Sequence, residues 1–148
     1  MLEARIKMNI NMPNLNFQKD MEHIAERFFI PMLSAGIEQG RDLEGRAFPA
    51  NEPGTIKRKR RLGRSRPDHP LIDTGELRMA FIAKRHGQTA VLLTLTDNRK
   101  EIGGFLQIDG IRSSHGTKFF NFFGISLKME SIALAYMQQR IGEAIRNA

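Results

Sequence analysis

Leu2, Ala4, Ile6, Met8, Ile10 and Met12 alternate with Glu3, Arg5, Lys7, Asn9 and Asn11. A period of two puts the apolar set on one side of an extended chain, so the segment is predicted to be a half-buried strand. After Pro13 the period lengthens. Phe17, Met21, Ile24, Phe28, Met32 and Ala35 recur at spacings of three and four, which predicts an amphipathic helix running towards Gly40, capped by Asn14 or Asn16. Pro31 lies inside this pattern and should kink the helix or divide it.

From Arg41 to Ile72 the apolar period disappears, and Pro49, Pro53, Gly54, Gly63, Pro67 and Pro70 punctuate a long connection. Loops of that length are functional or disordered in most compact domains. Asp73 and Glu76 in "DTGEL" have capping-box spacing, with Asp in place of Ser or Thr, and predict one or two helical turns through Leu77. "FIAKRHGQTAVLLTLT" predicts a β-hairpin: a strand from Phe81 to Arg85, a turn at Gly87 and Gln88, and a strand from Thr89 to Thr96 with Val91, Leu93 and Leu95 facing inward. Asn98 to Gln107 is read as helical, Ile108 to Gly116 as loop, and "TKFFNFFG" as a strand or turn over the core. Met129, Ala133, Met137, Ile141 and Ala144 form the row of a last helix, capped by Ser126 or Ser131. The expected fold is one α+β domain over 1–148: an antiparallel or mixed sheet packed by N-terminal and C-terminal helices, with a long basic loop.

Composition adds a charge anomaly. Lys and Arg number 23 against 16 Asp and Glu, and seven of the cations fall in "TIKRKRRLGRSRP", so the rest of the chain balances. A neutral body with one basic segment implies a specific contact rather than general polyanion affinity. That segment, about 46–70, is expected to be a mobile arm, because its charge self-repels and it has little apolar surface to bury; a short helical turn near Thr55 to Leu62 would order only against a partner. The absence of cysteine rules out disulfides and thiolate chemistry. "MLEARIKMNINMP" has no continuous apolar core of a signal peptide and no run approaches the roughly 20 apolar residues of a spanning helix, so a cytosolically made protein without membrane contact is expected.

Little in the sequence suggests catalysis. His23, His69, His86 and His115 are scattered without metal-ligand spacing, and no P-loop, GxSxG elbow or HExxH is present. The glycines of "GGFLQIDG" read as turn or packing residues, and no cofactor motif is found. Asp68, His69 and Asp73 resemble a base with its orienting acid, but nothing beside them offers a nucleophile. The candidate site is the basic run itself, Lys57, Arg58, Lys59, Arg60, Arg61, Arg64 and Arg66. Its cations suit phosphates or an acidic protein surface, and no interleaved aromatic supplies base reading.

The flanks of the run carry a resemblance. Phe48 and Pro49 sit in a Gly-preceded loop, Thr55 opens a segment with Lys57 and Lys59, and the pair Leu71 and Ile72 precedes Thr74, Gly75, Leu77 and Arg78. With the later "KFFNFFGIS", containing Phe120 and Gly124, this order resembles the phage virion morphogenesis proteins, the tail-completion family of Mu-like tailed phages. Phe48 stands where the family more often has Trp, Lys118 where it has Arg, and Phe123 where it has Leu. The resemblance implies a non-enzymatic virion or prophage subunit, made in the host bacterial cytoplasm, that completes the tail or makes it competent to join the head. It implies other phage tail or connector proteins as partners, and a homo-oligomer for which a ring is one form. DNA is the second partner considered for the basic run. The competing reading is a small nucleic-acid-binding protein that uses 57–66 for non-specific phosphate contacts.

Overall fold

In a computed structural model of the chain, residues 2–7, 16–113 and 116–147 are described. Strand β1 (Glu3–Lys7) and the hairpin strands β2 (Phe81–His86) and β3 (Ala90–Leu95) form an antiparallel sheet in the order β1-β3-β2. The register pairs Ile6 with Val91, Ala4 with Leu93, Ala83 with Leu93 and Phe81 with Leu95. Apolar positions of three strands therefore share one face. Val91, Leu93 and Leu95 are all fully buried, as their alternation predicted, because β3 is central and the helices cover this face. Thr94 on the opposite face is buried too, its hydroxyl donating to Leu2 O at 3.2 Å. Met8, Ile10 and Met12 of the expected first strand, and Pro13 and Asn14, lie outside the described residues.

The first helix begins where expected, with Asn16 Oδ1 accepting from Lys19 N at 3.0 Å. It is divided into α1 (Phe17–Ile24) and α2 (Ile30–Gln39), joined by a π-helical turn, Ala25–Phe29. In that turn Ile30 N donates to Ala25 O, five residues back. Pro31, which has no N–H to donate, follows at once in the first turn of α2. The extra residue rotates everything beyond it by one position. Met21 and Ile24 are buried as predicted, but further along the core residues are Phe29, Leu33 and Ile37, while Ala35 of the predicted row is exposed. Gly40 closes α2 in the left-handed conformation, with φ 68°.

The long connection is folded. Phe48 N donates to Gly40 O at 2.9 Å, Arg41 bridges Ala47, and Asp42 Oδ1 takes the amides of Glu44 and Arg46. Helix α3 (Pro53–Arg61) then occupies the basic run. The expected long basic loop is thus a helix, for reasons given below. The capping box at Asp73 does not form either: Asp73 pairs with Arg64 at 3.0 Å, Glu76 pairs with Arg99, and only a 3-10 turn, Leu77–Met79, follows. Ion pairing took both capping side chains.

Helix α4 (Asp97–Gly104) continues into a π-helical turn, Phe105–Asp109. The expected loop after it contains a small hairpin, β4 (Ile111–Ser113) and β5 (Gly116–Lys118). Helix α5 (Leu127–Arg146) is capped by Ser126, whose Oγ accepts from Met129 N at 3.2 Å. Met129 and Met137 bury against the core; Ala133, Ile141 and Ala144 of the predicted row are half-buried. Leu77, Phe81, Leu93 and Leu95 pack in one cluster with Phe29, Leu33, Phe120, Phe122, Phe123 and Met129. The fold is α+β, and both sheets are antiparallel. No helix among the described residues is long and apolar enough to cross a membrane.

Candidate interaction site: the basic helix and its mount

Pro53 stands at the start of α3, where its fixed φ suits the first turn and its missing N–H costs no helical bond. Four cations, Arg58 to Arg61, fill the last turn, where the helix dipole favours positive charge. Lys and Arg are also good helix formers. Repulsion among neighbouring cations opposes these local terms, and the tertiary anchor is Lys59.

Lys59 is only 4% exposed, and its Nζ donates to Ile72 O at 2.7 Å and to His69 O at 2.9 Å. Burial pushes the ammonium below its usual pKa, an effect opposed by the nearby Asp73 carboxylate and reinforced by Arg58. Asn51 Nδ2 donates to Pro67 O and His69 O, both at 3.1 Å, so residues 67–72 are held from two points. The His69 ring lies between Glu38 O at 2.8 Å and Pro70 O at 2.6 Å. Glu38 ties the same region to α2, because its carboxylate receives both Arg66 and Arg78. Those hydrogen bonds, with Arg66 the stronger influence, hold Glu38 below the ordinary carboxylate range against a smaller opposing effect of burial.

The seven cations of the run therefore divide by role. Lys59 is an internal anchor, and Arg64 and Arg66 are bound to Asp73 and Glu38. None of these three is a free contact residue, which corrects the expectation that all seven face a partner. Arg60 lies 3.5 Å from Asp68, with both side chains largely exposed. Lys57, Arg58 and Arg61 are exposed and carry no ion pair among the described residues. At 100° per residue Lys57 and Arg61 lie on the side of α3 opposite Lys59, and Arg58 lies at the edge of that side, about 100° from Lys59.

The motif positions around the run converge on this mount. Phe48 is buried against Phe120, their ring centroids 6.0 Å apart. Lys118 Nζ donates to Ala50 O at 3.0 Å and pairs with Glu52 at 2.7 Å, just before α3. Leu71 adopts φ 62°, a left-handed conformation rare outside glycine, and so turns the chain between His69 O, which Lys59 and Asn51 both engage, and Ile72 O, which Lys59 also engages. Gly75, at φ 87°, and Gly124, at φ 148°, hold conformations that a side chain would strain. Ile72 and Leu77 are buried, Pro49 and Thr55 are half-buried, and Thr74 is exposed. Glu38 and Asn51 were missed in the sequence, and Lys118 was marked there only as a motif position, since no periodicity marks a polar side chain that meets a distant carbonyl or guanidinium.

The Asp68, His69 and Asp73 arrangement is not assembled as a dyad, because both acids bind arginines and both ring nitrogens of His69 face backbone carbonyls. His23 stacks on Tyr136 and His86 meets Arg5; His115 lies outside the described residues. A groove of about 920 Å³ runs between α2, the 41–45 turn and the start of α5. Leu127, 82% exposed, stands on its rim. Across Ala35 lies Met79, 78% exposed. Comparison with protein-family models, curated proteins and solved structures gave no match.

Proposed function

We propose that the protein is a non-enzymatic assembly subunit of a tailed phage or prophage, acting in tail completion or head-tail joining, and that α3 is the element it presents to another component. One observation carries this reading. The segments that resemble the virion morphogenesis family, far apart in the chain, meet as a mount for a cationic helix: Phe48 on Phe120, Lys118 on Glu52, and Lys59 on the 69–72 carbonyls. Residues in those segments are used to position a surface. The polar groups beneath it are engaged with one another, so they form a scaffold and not a set of reactive groups facing a cleft.

In this reading the other tail or connector proteins are partners, and copies of the chain pack beside one another, a ring being one closed form. The apolar rim at Leu127 and Met79 is the surface available to such packing. In this reading assembly takes place in the host cytoplasm.

The test is electron microscopy of particles produced with the gene deleted. Full heads and separate tails accumulating unjoined, with joining restored by the gene in trans, is the expected result. Normal joined particles in the deletion strain would refute the proposal and leave a free nucleic-acid-binding protein as the better reading.

A further inference from the structure

We infer that the outer face of α3 binds the phosphate backbone of duplex DNA, through Lys57, Arg58 and Arg61, and not an acidic protein surface. The inference rests on α3 being a presented face, as in the reading above, and names what that face meets.

Two observations favour phosphate. First, the outer face carries cations and little else: Lys57, Arg58 and Arg61 are exposed, and the nearest apolar side chain, Leu62, is 48% exposed at the helix end. Protein interfaces are depleted of charge at their centre and depend on buried aromatic or aliphatic anchors, whereas protein–DNA interfaces are far more positive. Second, the face is preformed. Lys59, Arg64 and Arg66 fix the helix from behind, so the three outward cations need no ordering of the backbone when they bind. Lys57 and Arg61 are about one helical turn apart, about 6 Å along the axis, so both can address one short stretch of phosphate backbone.

No aromatic residue lies within α3, so bases have nothing to stack on, and the contact is with the backbone and without sequence preference. Three phosphate contacts at about 0.9 each give a salt slope near −2.7, or about a 40-fold loss of affinity between 50 and 200 mM salt.

The experiment is fluorescence anisotropy of the full chain with a labelled random-sequence duplex of about 20 base pairs, beside labelled poly-L-glutamate of similar charge. Wild type is expected to bind the duplex with that slope and poly-L-glutamate at least about ten-fold more weakly. K57Q/R58Q/R61Q should lose duplex binding, or retain it with a slope near zero. A control with the same charge removed from the body, K19Q/R27Q/K84Q, should bind like wild type, and thermal melts of both variants should match it, since all six side chains are exposed and carry no ion pair among the described residues. The inference is overturned if wild type fails to bind the duplex at 50 mM salt, if the two triple variants bind alike, or if poly-L-glutamate binds as tightly as DNA. Any of those results together with unjoined particles in the deletion strain removes the DNA contact and leaves the assembly role standing; duplex binding with normally joined particles does the reverse.

Discussion

Lys59 shows how one side chain changes the meaning of its neighbours. In sequence it is one of seven equivalent cations; in the structure it is buried, bonded to two carbonyls, and the reason α3 faces outward. Nothing local distinguishes it, because its partners at His69 and Ile72 are brought back by the 62–72 turn. Lys59→Met would fill similar volume but leave Ile72 O without that donor in a buried site, so a loss of about 1–3 kcal/mol in chemical denaturation is expected. No loss would mean that the anchor is dispensable. Glu38 supplies a pH-dependent contribution of known sign. Arg66 and Arg78 bind its ionised form and depress its pKa, so its stabilisation is present at neutral pH and disappears as pH falls through the depressed folded value. Glu38→Gln should therefore be less stable than wild type at pH 7, and the difference should shrink once pH is well below about 4.3, the ordinary glutamate value. Urea midpoints at pH 7 and pH 3 measure both; an unchanged gap would show that the arginine contacts do not depend on the charge.

At the scale of elements, legibility followed periodicity. The hairpin, the Asn16 cap, the Ser126 cap and the inward face of β3 were readable because alternation and capping chemistry are local properties. The second half of the first helix was misread for a definite reason. The turn Ala25–Phe29 inserts one residue, so the fully buried positions pass from Ile24 to Phe29, Leu33 and Ile37, leaving Phe28 and Met32 half-buried against the core and Ala35 exposed. Pro31 predicted an interruption but not its phase. Leu93, fully buried where α1, β1 and β2 meet β3, tests the hairpin assignment. Leu93→Ala should cost roughly 2–5 kcal/mol, and a change under about 0.5 kcal/mol, typical of surface sites, would contradict its facing. Helix α3 was legible only as a short turn near Thr55 to Leu62 that would order against a partner, because long-range hydrogen bonds within the chain stabilise it; the hairpin of β4 and β5 was illegible because its strands are three residues each with no alternating pattern.

Across the whole molecule, charge organises the account. Outside the basic run the chain is balanced, and many acids are paired internally, so the excess is displayed on one folded helix. A flexible arm would present the same charge without fixed geometry. The two states differ most directly in the protection of backbone amides, since a helix held by Lys59 opens only when the mount opens, whereas an arm exchanges at the rate of an unfolded peptide. Hydrogen exchange of the isolated wild-type protein, read residue by residue across 56–62, is the measurement. Amides such as Ile56 N, bonded to Glu52 O at 3.0 Å, and Leu62 N, bonded to Arg58 O at 3.0 Å, are expected to exchange at least about 100-fold more slowly than in an unfolded chain, and Lys59→Met to abolish most of that protection. Exchange of the wild-type segment at unfolded-chain rates, with the hairpin of β2 and β3 still protected, would show that the basic run is a mobile arm and contradict the account.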